Sequence, residues 1–371
     1  MSETQDRYLV ISCDGGGIRG VMTALLLQDL SQEVLDRVDL LAGTSTGSFI
    51  ALGLAGGVSI DQLVEHYRAP WFCEGIFTPY EKSGEERVKA EVTREGVVAR
   101  LAEEIEGKVE ELLSESALAK MVDSLLFPQY SNEGKLEVLR RTLPEMTMEE
   151  LWTRNHRSAL AAAFALNTEV PGRKLWEPTT ISNLPGCNAL KDTSIVDAVM
   201  CSTSSPLAWA AWQLPNGVYY ADGAVFANNP SAITLAALAQ SGVLGHRGLE
   251  KVYLLSVDTG FNFGSYPIED EDPPSKYPWG LLGWMWPFNT PTVQQFPLMA
   301  AYNDGAEEAA NQVSEELLGH HRYRRARIWM DQENISFTDC DAVPRLEELA
   351  REYMETEEWQ EIKTWVGENF V

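Results

Sequence analysis

Apolar residues near the start of the chain fall in short blocks of strand length. Tyr8-Leu-Val-Ile-Ser-Cys13 is one, and Val38 to Ala42 is another. Such runs read as buried strands. Each is followed by a glycine-rich turn and a longer apolar block of helical length, Val21 to Leu30 and Ser48 to Ala55. Further along, Gly217 to Ala221 and Lys251 to Val257 again read as strands. Ser158 to Ala165 fits a buried strand or a short helix, since its alanines favour the helix.

Helix signals punctuate the rest. Ser59-Ile-Asp-Gln62 is a capping box that opens a helix to about Arg68, with Pro70 as its stop. Pro230 suits the first turn of an apolar helix, Ser231 to Gln240. Arg322 to Trp329 is a basic patch leading into strand-like residues. Pro344 to Val366 predicts one closing amphipathic helix that turns Leu346, Leu349, Tyr353 and Trp359 inward.

Two stretches break the pattern. Residues 85–126 are helix-rich and very acidic, as in Glu103-Glu-Ile-Glu106, which suits a solvated face or a cap over a site. Tyr277 to Phe288 follows the acidic loop Glu269 to Pro274 and concentrates Trp279, Trp284 and Trp286 with Leu281, Leu282 and Met285. That cluster fits core packing, the wall of an acyl pocket, or a lipid interface.

Composition narrows the partners. The chain has 371 residues, room for one large α/β domain, with 55 acidic and 29 basic residues and a formal net charge of −26. Such a surface repels nucleic acid and opposes electrostatic docking on anionic membranes. The five cysteines, Cys13, Cys73, Cys187, Cys201 and Cys340, show no metal-ligand spacing and predict reduced thiols in a cytoplasmic setting. The polar N-terminus lacks a signal peptide's apolar core, and no segment approaches the roughly 20 apolar residues of a membrane span.

Candidate chemistry sits in the turns. Gly43-Thr44-Ser45-Thr46-Gly47 is a G-x-S-x-G motif between a predicted strand and a predicted helix, the context of a nucleophile elbow. Gly15 to Gly20, in Asp14-Gly15-Gly16-Gly17-Ile18-Arg19-Gly20, also fits G-x-G-x-x-G. A dinucleotide site requires an acidic residue ending the next strand, and Asp39 opens that strand instead. The better reading is an oxyanion hole, a glycine run whose amides converge on developing negative charge. Arg19 either adds positive charge there or holds the loop in a salt bridge.

Together these motifs resemble the patatin-like phospholipase family. Its third motif is present as Asp222-Gly223-Ala224, followed by Asn228-Asn229-Pro230. The resemblance implies a three-layer α/β/α sandwich with a mostly parallel sheet. It covers 7–353 as a single domain with a helical insertion at about 85–126, leaving 354–371 as a helical tail. It favours a strand at Ser158 to Ala165, a helix with Leu136, Leu139 and Leu143 after Tyr130-Ser-Asn-Glu133, and a helix from Asp197 to Pro206 leading to the apolar loop Leu207 to Trp212. It implies hydrolysis of fatty-acyl esters of phospholipids or galactolipids by a Ser45–Asp222 dyad without histidine, metal or cofactor. The expected partner is a membrane or micellar lipid, with the protein peripheral at the bilayer. His320 and His321 are the late histidines that a conventional triad would need. A lipase dormant until a ligand binds, and a non-catalytic lipid-binding scaffold, are the alternatives.

Overall fold

The computed structural model describes residues 7–83, 127–261, 284, 297–330 and 335–370. The acidic stretch 85–126, the Glu269–Pro274 loop and all of the tryptophan cluster but Trp284 lie outside them. An eight-stranded sheet runs through the described residues in the order β5-β6-β3-β2-β1-β7-β8, with β4 paired to β3. The central strands β1 (Tyr8–Cys13), β2 (Leu40–Thr44), β3 (Ser158–Val170), β7 (Val252–Val257) and β8 (Tyr323–Ala326) are parallel. The remaining strands, β4 (Arg173–Ser182), β5 (Trp212–Gln213) and β6 (Tyr219–Asp222), join antiparallel at the β3 side. Ser158–Ala165 is therefore strand. Its small side chains are almost all fully buried in the middle of the sheet, and that tertiary setting overrides alanine's helical preference.

Alternation along the strands builds a core on each face. Leu9, Ile11 and Cys13 of β1 point into one core, and Val10 points into the other. The first core is completed by α1 (Gly20–Asp29) and α2 (Thr46–Ala55), and all ten α2 residues are buried. A helix apolar on every side belongs inside. The second core takes Leu235 and Leu238 of α8 (Ser231–Ser241) and Leu318 of α9 (Pro297–Leu318). This is a three-layer α/β/α sandwich with a mostly parallel sheet.

Several boundaries follow local chemistry. The Ser59 box caps α3 (Ile60–Arg68) as expected. Pro70 does more than stop it, because it opens a further helix, α4 (Pro70–Ile76), from the first-turn position where a missing N–H costs nothing. Beyond it, α5 (Asn132–Thr142) is capped by Ser131, and α6 (Met148–Asn155) carries a second capping box from Thr147 and Glu150. After β4 comes α7 (Ile195–Ser202). The single closing helix expected from Pro344 to Val366 is two, α10 (Val343–Met354) and α11 (Glu357–Asn369). Thr356 starts the second by accepting from the Trp359 N–H. Trp359, Ile362, Trp365, Val366 and Phe370 are buried in the main core.

One sequence expectation needs correction. Cys73 and Cys340 form a disulfide across 267 residues, and only Cys13, Cys187 and Cys201 are free. The bond joins α4 to the segment before α10, a proximity that spacing in the sequence cannot show. The case for reduced thiols, and with it the argument for a reducing cytoplasm, fails for this pair. The basic patch at Arg322 to Trp329 leads into β8 and has a buried guanidinium at its centre. Arg325, on β8, is 6% exposed and paired to two carboxylates.

Candidate active site

The elbow closes at the C-terminal end of β2. Ser45 sits there at φ 52°, ψ −125°, a left-handed backbone that is strained for a residue with a side chain. Gly47 is required by its neighbours, because a Cβ there would collide with the carbonyl of Cys13 on the adjacent strand. The turn is locked from several sides. Thr44 Oγ1 donates to the Ala227 carbonyl at 2.6 Å, Ser48 Oγ to the Ser45 carbonyl at 2.6 Å, and the Ser45 N–H to Ser202 Oγ at 2.9 Å.

Sheet register brings the carboxylate to the serine. Thr44 pairs with Ala162 of β3, and the next β3 residue, Ala163, pairs with Asp222 at the end of β6. Asp222 is 2% exposed. Its Oδ1 accepts the Ala224 N–H at 2.8 Å, and its backbone N–H donates to the Ser204 carbonyl at 2.9 Å. Burial raises its pKa from the usual carboxylate range to about 6, against the opposing pull of the Ala224 amide, the Ser45 hydroxyl and the Lys135 ammonium. Ser45 thus faces a carboxylate that is a better base than an exposed aspartate.

The glycine run lies beside them, with Gly15 packed on Ser45 so closely that an added Cβ would meet Ser45 Cβ. Not all of its amides are available. Gly15 donates to the Asn228 carbonyl at 3.1 Å, Ile18 to the Phe337 carbonyl at 2.9 Å, and Arg19 to the Gly16 carbonyl at 3.2 Å. The Gly20 amide turns back onto Gly17 and Ile18. Among the described residues, the Gly16 and Gly17 amides have no acceptor. Gly17 holds φ +59°, and any side chain there would strike Phe337. The Arg19 guanidinium contacts the Gly16 carbonyl at 3.4 Å and lies in the field of Glu307, Asp258 and Asp304, with no direct salt bridge among the described residues.

Below the loop, Asp14 Oδ2 and Glu307 Oε1 each lie 2.6 Å from Arg325 Nη2. Glu307 Oε2 accepts from the Asn228 amide at 3.1 Å, and that amide also reaches the Gly15 carbonyl at 3.3 Å. Glu307 and Arg325 carry no motif of their own. Only the charge balance demanded by a buried Asp14 hinted at such a cation.

A cavity of about 420 Å³ opens above Ser45 and Asp222. Phe49, Phe72, Phe77, Leu139, Val199 and Trp209 make one wall apolar. Arg19, Asp258, Asp304 and Glu307 line a polar side near the glycine run. His320 and His321 do not line it. His320 is 86% exposed and pairs with Glu315. Among the described residues, no group of three or more His, Cys, Asp or Glu side chains could hold a metal ion, and no helix is long and apolar enough to cross a membrane.

An α/β/α sandwich with a serine on a strained strand-to-helix elbow defines the class of protein. The model of the family described as patatin-like phospholipase matches residues 11–235, and the chain belongs to that family. The chain is 24% identical over 364 residues to CotR of Bacillus subtilis, which is named as a sporulation hydrolase, covering 93% of each chain. It is 21% identical over 370 residues to patatin-like protein 1 of Arabidopsis thaliana, covering 92% of this chain and 79% of the plant protein. It is 25% identical over 242 residues to a cGAMP-activated phospholipase of Escherichia coli, covering 62% of this chain and 55% of that one.

Proposed function

We propose that this protein is a serine acyl hydrolase that cleaves fatty-acyl esters of phospholipids or galactolipids. The observation that carries the reading is Ser45 on its strained elbow facing a buried Asp222 whose pKa is raised to about 6. Ser45 Oγ attacks the acyl carbonyl while its proton passes to Asp222. The carbonyl oxygen becomes an oxyanion facing the Gly16 and Gly17 amides, with Arg19 adding positive charge nearby. Collapse expels the alcohol, which takes the proton back from Asp222. A water then gives one proton to Asp222 and attacks the acyl-enzyme, and in the second collapse the fatty acid leaves while Ser45 Oγ takes that proton back from Asp222. The aromatic wall receives the acyl chain and the charged side faces the alcohol portion. No metal or cofactor enters this sequence. The protein acts at the edge of a membrane or micelle, as a single domain whose closing helices belong to its core.

Fluorophosphonate labelling followed by mass spectrometry tests this reading. Label on Ser45 that is lost in Asp222→Asn supports it, and Ser45→Ala abolishes ester hydrolysis in a folded protein. A His320→Ala, His321→Ala double variant keeps wild-type activity. A folded but inactive double variant would replace the dyad by a triad.

The similarity to the cGAMP-activated phospholipase favours a second reading, a lipase dormant until a nucleotide binds. Hydrolysis by the purified chain without added nucleotide excludes it.

A further inference from the structure

Lys135 sits where an ordinary pocket wall would carry a leucine. It lies on the inner face of α5 and is 1% exposed. Its ammonium donates to the Thr203 carbonyl at 3.0 Å and lies 4.4 Å from the centre of the Trp209 ring. Removing an ammonium from water is costly unless charges and dipoles replace the water. A methionine would cover Trp209 without that cost, so the charge calls for a role.

Its partner residue supplies one. Thr203 is the middle of Ser202-Thr203-Ser204, the turn that ends α7. Ser202 Oγ accepts the backbone N–H of Ser45 at 2.9 Å. The Ser204 carbonyl accepts the backbone N–H of Asp222 at 2.9 Å. One three-residue turn thus holds the serine from β2 and the aspartate from β6 in register, and Lys135 grips the carbonyl between them. The titratable groups facing the ammonium are Asp222, at the end of β6, and the buried Cys201 thiol on α7. Burial drives that thiol towards its neutral form, which leaves Asp222 as the anion facing Lys135.

We propose that Lys135 is a positioning residue for the hydrolysis, which pins the Ser202–Ser204 turn that registers Ser45 with Asp222 and holds Asp222 ionised as the base. The assignment rests on the Ser45–Asp222 reading above. Burial lowers the Lys135 pKa to about 7, with Asp222 opposing that fall, so the charge of each depends on the other. Without the ammonium, Asp222 keeps its proton to higher pH, and the acid limb of the rate profile moves upward.

The test uses hydrolysis of p-nitrophenyl butyrate from pH 5 to pH 9 by the wild type, Lys135→Met and Lys135→Gln. Methionine keeps the volume and loses both the charge and the hydrogen bond. Glutamine keeps a donor for the Thr203 carbonyl and loses only the charge. The expected result for Lys135→Met is a kcat about tenfold lower at pH 7 with KM changed less than about twofold, and an acid limb of kcat/KM about one pH unit higher. Lys135→Gln shows the same shift of the limb with a smaller loss of kcat. A folded Lys135→Met with the wild-type limb and kcat overturns the proposal. So does failure of both variants to fold, which would make Lys135 a residue of the fold alone. Ser45→Ala runs alongside. If it retains activity, the hydrolase reading falls and takes this one with it, whereas an unmoved limb with a dead Ser45→Ala sinks the Lys135 role alone.

Discussion

Arg325 and Asp14 reach past β7 from the strands on either side of it and meet at 2.6 Å beneath the glycine loop. The register makes this possible. Ser12 pairs with Ser256 on β7, and Ser256 pairs with Arg325 on β8. Arg325 also donates to Ser256 Oγ at 2.7 Å, so the guanidinium is held by the sheet itself. Asp14 begins the loop that carries Gly16 and Gly17, and Arg325 fixes its base.

Loss of that cation strands two buried acids. Desolvation pushes the Asp14 pKa well up, and Arg325 is the main force holding it down. Arg325→Met is expected to cost about 3–5 kcal/mol of stability, the range for breaking a buried pair from one side. Urea melts at pH 7 measure this. The loss should shrink at acid pH, where Asp14 becomes neutral. A pH-independent loss would mean that the guanidinium matters for packing and not for charge.

Asp222 ties activity and stability to pH in opposite directions. Its folded pKa of about 6 lies above the usual carboxylate range. As the proposed base it must be ionised, so kcat/KM is expected to fall as pH drops through about 6. For stability the sign reverses. A carboxyl group with a raised folded pKa binds its proton more tightly in the folded state. Its contribution is fully present below the unfolded pKa and is lost as pH rises through the folded one. Asp222→Asn removes that penalty. The variant is expected to lose most of its activity and to gain about 2–3 kcal/mol at pH 8. An active Asp222→Asn, or one destabilised at pH 8 with its advantage at pH 4, would contradict this account.

The Cys73–Cys340 bond reaches the site through one loop. Cys340 follows Phe337, whose carbonyl accepts the Ile18 N–H at 2.9 Å. That contact holds the far side of the glycine run. Titration of the unfolded, unreduced protein should count three thiols of the five cysteines. Reduction is expected to remove roughly 2–5 kcal/mol of stability, as for other long loops. It should also slow fluorophosphonate labelling of Ser45, because the loop at Phe337 loses its tether. Five thiols without reductant would refute the pairing.

The sheet and its chemistry-bearing turns were legible because short-range signals encode them. A branched apolar run, a glycine turn and an apolar helix place Ser45 within one local unit, and Tyr219 to Asp222 ends in its own turn. Capping boxes at Ser59 and the apolar stripe on α5 are equally local. What the sequence concealed is long-range. Cys73 and Cys340 have no shared neighbourhood until α4 meets the segment before α10. Ser202 and Ser204 are ordinary polar residues at a helix end, and their meaning comes from the N–H groups that the sheet register delivers to them. Arg325 sits among four arginines from Arg322 to Arg327, and only β8 pairing selects it for burial. Amphipathic periodicity was read through the break at Thr356 because the apolar face continues on both sides of it.

That break bears on where the fold ends. Trp359 lies just beyond it, fully buried, with its Nε1–H donating to Asp29 Oδ2 at the end of α1 at 2.8 Å. Lys363 lies 2.9 Å from the same carboxylate oxygen. Helix α11 therefore closes over the end of α1, whose buried face also supports the glycine loop. If residues from 354 onward were dispensable, truncation after Met354 would leave a stable hydrolase. The packing predicts the reverse. Trp359→Ala should cost about 3–5 kcal/mol through the cavity it leaves. The truncated chain should lose cooperative unfolding and bind a hydrophobic dye, since it uncovers the apolar surface beneath Trp359, Ile362 and Trp365. Trp359→Phe keeps most of the ring volume but drops the hydrogen bond to Asp29, and should cost about 1 kcal/mol. A truncated chain that melts cooperatively near the wild-type temperature would show that the core is complete without α11.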